Sequence, residues 1–487
     1  MEFSARMQAA LVPPVTRMEF AWVAGALAAV KLAWLVVDHT LRYYMGDSMT
    51  YLHSAAFLTG TGGRSFLYGW TLRFTALPFD SPVAVIVNQA AWSVLICIAL
   101  FIFLRVALRL PFWWSAVPSW LLATEPAQVF LERMVMAETL GLLAFVSMFL
   151  VFSRYLATGD LRWYLLACLG GLAAAAFRMN FLPIAIGLGL TAPLLRVLLW
   201  PPDGSSQRWP AWRHIGLAML ILGVTNLAYT QAYGRATHYP PGYLAYTGMM
   251  RIGLVAPLIR PEHFEGTGVS GTILQEVELP LDDHWQRGHH IWRPDGLWPL
   301  LEKRSDQPEL VARTVTRRAL LSEPLGLLRI NIATLGGYFH DRRSELRMLD
   351  DIGVIPPSDR DLELIREWTG WDARGIDALE TPARRFFAGS TTWLTLCLFA
   401  LAPLALATAA IGWRTDRREQ YLLLSLASLG LVANHLLFAH IVSYRYIHPF
   451  PWFVLANLSI VLAAATSWWV HRSPKSKGQA GQGRPAS

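Results

Sequence analysis

An acidic residue follows the first long apolar segment of the chain, where a membrane-spanning helix would meet water. Asp47 lies within the polar and aromatic stretch Arg42–Tyr51. A carboxylate in this position can act as a general base toward a hydroxyl group. Asp47 followed by Ser48 is also a favourable helix start, so a capping role is the alternative. Tyr44 and its aromatic neighbours favour a binding surface, because rings at the bilayer surface can face sugars or lipid headgroups.

Two further charged residues stand at the boundaries of apolar segments. Glu138 opens the apolar run Thr139–Phe152, where the helix macrodipole favours a carboxylate without any chemistry. Arg178 lies in a very short link between two apolar runs, Arg178–Asn180. Its long side chain could mark the bilayer boundary, or its guanidinium could bind a phosphate through two parallel hydrogen bonds.

The stretch Ser443–Pro449, between the last two apolar runs, contains both hydrogen-bond donors and aromatic rings. Arg445 and His448 could each donate to a phosphate, and Tyr446 could lie in the aromatic belt of the bilayer surface. Pro449 would start the next helix. An ordinary helix turn with interfacial anchors is the competing interpretation.

Histidines and acids between residues 234 and 388 are candidates for a metal site. Their spacing matches no helical or knuckle template, and the adjacent His289 and His290 would point in different directions in regular structure. No metal site is therefore predicted and no cofactor is required, which leaves a divalent metal possible. The residues concerned are His263, Glu265, Asp282, Asp283, His284, His289 and His290.

Composition places the chain among integral membrane proteins. Apolar residues make up 54% of its 487 residues and charged residues only 16%, and Trp alone occurs 21 times. An all-α polytopic protein with about ten transmembrane helices is predicted. The predicted spans are Glu19–Val37, Val83–Leu104, Phe112–Ala123, Thr139–Phe152, Trp163–Phe177, Phe181–Trp200, Ile215–Tyr233, Gly389–Trp413, Tyr421–Ile441 and Pro449–Val470.

Charge predicts the orientation of these spans. The net charge of +8 is a signal of sidedness and does not suggest nucleic acid, because membrane insertion keeps Arg and Lys on the cytoplasmic side. Arginines occupy alternate linkers, so both termini are predicted to be cytoplasmic. These arginines are Arg105, Arg109, Arg154, Arg162, Arg208, Arg213, Arg414, Arg417 and Arg418. The Asp47 loop, the 125–138 loop, the Arg178 link and the Ser443–His448 stretch would then share the extracytoplasmic face.

Four regions are predicted along the chain. Residues 1–233 form an N-terminal transmembrane module that carries the first external loop. Residues 234–388 form one large extracytoplasmic segment, in which the helical spacing of apolar residues over Ser322–His340 predicts a helix lying in the membrane interface. Residues 389–470 form C-terminal transmembrane helices, and residues 471–487 form a disordered cytoplasmic tail.

In order and sidedness, these motifs resemble the GT-C superfamily of polytopic glycosyltransferases, which includes protein O-mannosyltransferases and bacterial aminoarabinose transferases. The matching pieces are the acid in Gly46–Leu52, the acid in Met136–Leu140, the link Arg178–Asn180, and Arg445 with Tyr446 before a Pro-led last span. Two positions depart from the pattern. Ser48 stands where members with a paired acidic motif have a second carboxylate, and Met179 stands where relatives often have proline. The subfamily and any metal dependence stay open.

The resemblance implies an inverting glycosyltransferase of a bacterial inner membrane. It would move a sugar from a polyprenyl-phosphate carrier to an extracytoplasmic glycan, lipid or protein, with membrane lipids as further partners and no nucleic acid. Asp47 is implied as the general base or as the group that orients the acceptor. The residues implied to bind the donor phosphate are Arg445, His448 and Arg178, and those implied to bind substrate are Tyr44, Glu138 and Tyr446.

Two other classes of protein explain part of the pattern. A transporter or lipid-linked-glycan flippase would also have many spans, but it should carry ionisable residues near mid-membrane and often shows repeated halves. The candidates here lie at one face, with Lys31 and the pair Asn88 and Gln89 as exceptions. A non-catalytic scaffold that binds through residues 234–388 is the second alternative. Loss of turnover in a folded Asp47→Asn variant would argue against both.

Overall fold

The computed structural model describes residues 15–60, 62–199, 208–353 and 357–472. Within these ranges the chain forms helices and no β-strand, so the predicted all-helical polytopic fold is confirmed at that level. The predicted tail lies outside the described residues from 473 onward, as does the predicted cytoplasmic linker over 201–207.

Ten α-helices are described between residues 15 and 237, and a π-helical turn, Phe103–Ala107, extends the fourth. Their bounds are α1 (Arg17–Val37), α2 (Met45–Phe57), α3 (Phe66–Thr75), α4 (Val83–Ile102), α5 (Phe112–Ala123), α6 (Pro126–Leu131), α7 (Glu138–Thr158), α8 (Leu161–Phe177), α9 (Leu182–Leu199) and α10 (Arg208–Thr237).

Eleven α-helices are described after residue 237. Their bounds are α11 (Thr247–Val255), α12 (His289–Trp292), α13 (Leu297–Arg304), α14 (Pro308–Ser322), α15 (Gly326–Leu335), α16 (Asp341–Asp351), α17 (Asp359–Thr369), α18 (Pro382–Ala388), α19 (Thr391–Gly412), α20 (Arg418–Phe438) and α21 (Phe450–Arg472).

Eight of the described helices are long and apolar enough to cross a membrane, namely α1, α4, α7, α9, α10, α19, α20 and α21. The 21 residues of α1, for example, rise about 31 Å, which matches the hydrocarbon core of a bilayer. The other two predicted spans correspond to α8, with 17 residues, and α5, with 12 residues. The chain is therefore a polytopic helical membrane protein with at least these eight candidate spans.

The predicted span at α5 ends at a break, and the short helix α6 follows it. Pro118 lies inside α5, and the helix ends before Glu125, whose carboxylate accepts a hydrogen bond from the Gln128 backbone N–H at 2.6 Å. Pro126 then occupies the first position of α6, where its missing N–H is not needed. This capped break explains why the apolar run at Phe112–Ala123 is shorter than a bilayer requires.

The helix ends sort into two sets. At one end the predicted external loops meet, as shown by the bridge between Arg42 and Met134. At the other end the Arg-rich linkers meet, because Arg105 pairs with Glu19 at 3.1 Å and Arg417 donates to the Ala107 carbonyl. The predicted sharing of one face is thus present in the structure, while the assignment of either face to the cytoplasm stays a prediction.

Residues 234–388 divide into two parts by packing. The first part has a separate hydrophobic core over residues 249–330, which includes Ile252, Trp298 and Leu301. The second part packs against the membrane body, since Tyr338, Met348 and other buried residues up to Phe387 belong to the main core. The second part carries the contacts that reach the candidate site.

A helix is present in the stretch for which an interfacial helix was predicted, with a later start, and its place in a membrane interface stays a prediction. Ser322 is the last residue of α14, and α15 begins at Gly326 and continues as a 3₁₀ turn to Phe339. The expected start near Ser322 was wrong because Glu323, before Pro324, has left the helical conformation at φ −129° and ψ 72°. The Phe339 ring lies 4.7 Å from the ring of Phe399 in α19, a candidate span, so this helix lies beside the membrane body.

Candidate functional site

Asp47 accepts contacts from two guanidinium groups. It lies in the first turn of α2, and the N-cap residue is Tyr44, so the capping role considered for Asp47 is not observed. Asp47 Oδ1 lies 2.6 Å from Arg64 Nη2 and accepts a hydrogen bond from Arg64 Nε at 2.7 Å. Asp47 Oδ2 accepts a hydrogen bond from Arg445 Nη1 at 3.3 Å. The Asp47 side chain is 12% exposed.

Arg64 reaches Asp47 from the loop that follows α2. The loop packs closely against the beginning of the segment 234–388, since a Cβ on Gly62 would lie 2.5 Å from the Tyr246 ring. Glycine is therefore needed at this approach. The Arg64 guanidinium also lies 5.1 Å from the centre of the Trp292 ring, which holds it beside the segment 234–388.

Arg445 stands at the centre of the cluster. It belongs to the 3₁₀ turn Tyr444–Ile447 and is 7% exposed. While its Nη1 meets Asp47, its Nε lies 3.4 Å from Glu138 Oε1. The planar group also lies 4.0 Å from the centre of the Tyr44 ring, a cation–π distance. Arg445 therefore joins the two predicted acids through different atoms.

Glu138 and Arg178 complete the cluster. Glu138 is the first residue of α7, and its Oε1 lies 3.3 Å from Arg178 Nη1. Gly141, one turn further along α7, leaves room for Arg178, because a Cβ there would lie 3.0 Å from Arg178 Cγ. The Tyr446 ring lies between cations, 5.9 Å from the Arg178 guanidinium and 5.7 Å from that of Arg445.

These contacts form a charge array in which cations and anions alternate. In spatial order its members are Arg64, Asp47, Arg445, Glu138 and Arg178. Three guanidinium groups and two carboxylates leave one net positive charge. Within the described residues, buried Arg178 Nη1 and Arg445 Nε each form an ion-pair contact with Glu138 Oε1 but make no hydrogen bond. The array therefore keeps donors that an anionic ligand could use.

The arginines control the acidity of Asp47. Burial favours the neutral form of Asp47, but the charges of Arg64 and Arg445, with their hydrogen bonds, outweigh it and hold the pKa of Asp47 below its usual value. Asp47 is therefore ionised at neutral pH. A carboxylate that bears two guanidinium groups is a weak base, and it becomes a stronger one if an anion takes one of its arginines.

His448 belongs to a neighbouring network. Its Nε2 lies 2.8 Å from Gln128 Oε1, and Gln128 donates to Glu132, which pairs with Lys31 at 2.5 Å. Burial lowers the pKa of His448 to about 3, so the ring is neutral. Its one N–H then points to the Gln128 oxygen. In this arrangement His448 has no second N–H to offer the predicted phosphate.

Six of the seven residues predicted for the site therefore lie together. Asp47 and Glu138 supply carboxylates, Arg445 and Arg178 supply guanidinium groups, and the rings of Tyr44 and Tyr446 flank them. The roles assigned to these residues stay predictions.

No metal centre accompanies the array. In the described ranges, no group of three or more His, Cys, Asp or Glu side chains could hold a metal ion. His263, one of the candidate ligands, instead accepts a hydrogen bond from the Arg260 backbone N–H at 3.0 Å and lies 3.1 Å from Ser322 Oγ. These contacts join parts of the segment 234–388 to each other.

Sequence reasoning missed two charged residues of the site. Arg64 directly follows the Gly-rich stretch of residues 60–63, and this position was the available signal. Asp351 ends a polar helix and carries no motif, yet it is 3% exposed and accepts a hydrogen bond from the Tyr444 backbone N–H at 2.6 Å. Asp351 and Tyr444 are 93 residues apart in the sequence, so no local pattern indicates this contact.

Comparison with models of known protein families gave no match to this chain, and comparison with curated proteins gave none either. Function must therefore be argued from the motifs and from the geometry of the array.

Proposed function

We propose that the chain is an inverting glycosyltransferase that uses a polyprenyl-phosphate sugar as donor and an extracytoplasmic glycan, lipid or protein as acceptor. One observation carries the proposal. A buried carboxylate, Asp47, lies in the same array as the guanidinium groups of Arg178 and Arg445. Each of these groups has a buried N–H donor that contacts Glu138 as an ion pair but makes no hydrogen bond, so a phosphate could compete for it. Transfer of a sugar from a sugar phosphate requires a general base for the acceptor and a site for the phosphate anion.

The proposed reaction is a single displacement. The acceptor oxygen attacks the anomeric carbon of the sugar, and the bond from that carbon to the phosphate oxygen breaks on the opposite face. The bonding electrons go to the phosphate, and the proton of the acceptor hydroxyl goes to Asp47. The products are the glycosylated acceptor and polyprenyl phosphate. The configuration at the anomeric carbon is inverted.

The arginines have two tasks in this scheme. Arg178 and Arg445 stabilise the negative charge that develops on the departing phosphate, where planar donors are more effective than a point charge. A phosphate that takes Arg445 also leaves Asp47 with Arg64 alone. Asp47 would then be a stronger base with the donor bound than in the empty site.

The location of the array supports a lipid-linked donor. Glu138 begins α7, Arg178 follows α8, and Arg445 precedes α21, so the array lies at the ends of apolar helices. An amphipathic donor could place its phosphate in the array and its hydrocarbon tail along those helices. The chain contains eight candidate spans among its described residues, so such a donor is available to it in the bilayer.

A second candidate function is transport of a lipid-linked glycan. It is favoured by a buried pair within the membrane body, Lys31 of α1 and Glu132, whose side chains are 3% and 1% exposed. Ionisable residues inside a membrane protein often mark a transport path. Lys31 and Glu132 are hydrogen-bonded to each other, however, whereas two buried donors of the array at Asp47 make ion-pair contacts without a hydrogen bond.

Purified protein assayed with a panel of polyprenyl-phosphate sugars tests the proposal. Asp47→Asn preserves the size of the side chain, and it should lower turnover by about 100-fold or more, the usual effect of losing a general base. Asp80→Asn is a matched control in the same external segment, since Asp80 is exposed and its left-handed backbone, φ 45°, tolerates Asn. Thermal melting should show both variants folded.

Near-normal turnover in Asp47→Asn would contradict the proposed role of this acid. Movement of a labelled lipid-linked sugar across vesicles by wild-type protein, without transfer to any acceptor, would favour the transport alternative.

A further inference from the structure

The segment that carries Arg445 is held by a distant acid. After α20 the chain forms no regular helix until the single 3₁₀ turn Tyr444–Ile447. Asp351, at the end of α16, is 3% exposed. Its carboxylate accepts hydrogen bonds from Ser443 Oγ at 2.9 Å, from the Tyr444 backbone N–H at 2.6 Å and from the Arg445 backbone N–H at 3.3 Å. One carboxylate thus fixes three successive residues.

Helix stability does not explain an acid at this position. The C-terminal end of a helix carries partial negative charge, so a carboxylate there is disfavoured. The neighbouring Asp350 is partly exposed and pairs with Arg347 at 3.0 Å, as expected for a surface acid. Asp351 instead lies inside the protein, where the three donors compensate its charge. The segment that Asp351 holds therefore accounts for its position.

Two more side chains of the same region contact this segment. The Tyr338 hydroxyl donates to the Ser443 carbonyl at 3.0 Å and accepts from the Ser443 backbone N–H at 3.1 Å. Ser344 Oγ is hydrogen-bonded to the Tyr444 hydroxyl. Of these three side chains, Asp351 reaches the backbone of Arg445.

We propose that Asp351 is a positioning residue for the donor phosphate site. It fixes the backbone from which the Arg445 guanidinium extends between Asp47 and Glu138. This inference rests on the proposed function, in which Arg445 binds the departing phosphate. Groups that stabilise a reacting phosphate must be held within about 0.5 Å of their productive place, which a loose turn cannot do. Asp351 touches no reacting atom and acts through Arg445.

Three variants separate positioning from general stability. Asp351→Asn keeps the size of the side chain but removes its charge. The amide oxygen can still accept from the Tyr444 and Arg445 backbone N–H groups while the amide N–H donates to Ser443 Oγ, so the two backbone bonds weaken because they lose their charge assistance. Asp351→Glu keeps the charge and should restore part of the function. Asp350→Asn makes the same chemical change one residue away on a partly exposed side chain, and it serves as the matched control.

Hydrogen exchange measured by mass spectrometry tests the geometry without any substrate. In Asp351→Asn, the amide protons of Tyr444 and Arg445 should exchange about tenfold faster or more, because two hydrogen bonds to a carboxylate become weaker bonds to a neutral amide and the local opening energy falls. The control should exchange as the wild-type protein does.

Kinetics test the link to the donor. In Asp351→Asn the donor KM should rise and the donor kcat/KM should fall by about tenfold, equivalent to ~1.4 kcal/mol, with the acceptor KM unchanged. A purely structural role would lower thermal stability and the amount of active protein, yet leave the donor KM of the active fraction unchanged. Partial recovery of the donor KM in Asp351→Glu would support positioning by the charge.

Unchanged exchange at Tyr444 and Arg445 in Asp351→Asn would overturn the inference, and so would faster exchange with an unaltered donor KM. If wild-type protein transfers sugar from no donor of the panel, the proposed function fails instead. Binding of polyprenyl phosphate alone, measured in detergent, then replaces the donor KM as the second readout. Weaker binding in Asp351→Asn supports the inference, and equal binding overturns it.

Discussion

Arg445 is the residue at which the contributions of charge and shape can be separated. Its Nη1 lies 3.3 Å from Asp47 Oδ2 and its Nε lies 3.4 Å from Glu138 Oε1. A planar guanidinium reaches both carboxylates with different atoms, whereas a lysine ammonium is a single point of charge. We therefore predict graded damage to donor use, with Arg445→Gln worse than Arg445→Lys.

The size of the effect follows from the contacts that Arg445 can make. Two unit charges about 4 Å apart attract by roughly 4 kcal/mol at an effective dielectric constant of 20. Desolvation offsets part of this, and a hydrogen bond to a charged group contributes about 1.5–3 kcal/mol net. Loss of one such bond to the phosphate lowers kcat/KM by about tenfold or more, and loss of two by about 100-fold or more. The first estimate applies to Arg445→Lys and the second to Arg445→Gln.

The measurement is donor affinity and turnover of purified protein in detergent, with folding followed by thermal melting. Removal of Arg445 leaves Asp47 paired with Arg64 and Glu138 paired with Arg178, so both variants should fold. Arg374→Gln is a matched control, because Arg374 is 68% exposed and pairs locally with an acid.

Wild-type donor affinity and turnover in Arg445→Gln would refute the reasoning. Arg445 would then not be a phosphate ligand, and Arg178 would be the next candidate. Full tolerance of Arg445→Lys, with loss only in Arg445→Gln, would mean that the charge matters and the planar fork does not. An interfacial anchor would give that second pattern.

Two further predictions concern orientation and pH. Gln275→Cys should react with an impermeant maleimide added to intact cells and Asp416→Cys should not, because both side chains are exposed and are predicted to lie on opposite sides of the membrane. The three native cysteines are buried and should give little background labelling. The reverse pattern would overturn the predicted sidedness. Donor kcat/KM should fall in acid with a midpoint near pH 6. Burial raises the pKa of Asp351 to about 6, and the protonated form of Asp351 accepts fewer hydrogen bonds. Asp47 does not account for this midpoint, because arginine charges hold the pKa of Asp47 below its usual value. Activity is thus retained above this pH and lost below it, whereas the stability contributed by Asp351 falls as pH rises through about 6. An acid limb that survives in Asp351→Asn would assign it to another group. The charged and titratable groups that face Asp351 are Arg445, Tyr44, Tyr338 and Tyr444.

The site residues that could be predicted from the sequence lie where apolar runs begin and end. Glu138 and Arg178 could be singled out because charge at a helix boundary contrasts with the apolar sequence around it. The predicted span Phe112–Ala123 has the bounds of α5, and only its continuation through the capped break at Glu125 was not foreseen. Hydropathy identifies such boundaries because every membrane helix must satisfy its own backbone.

The features of the site that could not be predicted from the sequence depend on contacts between distant segments. Arg445 and Asp47 are 398 residues apart, and nothing in either local sequence states that they meet. Arg64 and Asp351 do not lie at the end of a predicted membrane span, so no change from apolar to charged sequence indicated them. Residues 234–321 showed no long period because their apolar residues are spread over several short helices, which bury them in a core of their own.

The charge of the array offers a reason for its composition. Buried ion pairs contribute little to stability on balance, so stability alone does not explain three arginines and two acids in one place. In the proposed reaction the donor is a phosphodiester with one negative charge, which matches the single net positive charge of the array. The product is a phosphomonoester with a charge of about −1.5 to −2 at neutral pH. The proton taken by Asp47 removes one negative charge from the array at the same step. The array would thus stay nearly matched to its ligand before and after transfer, provided that Asp47, and no group outside the array, receives the proton.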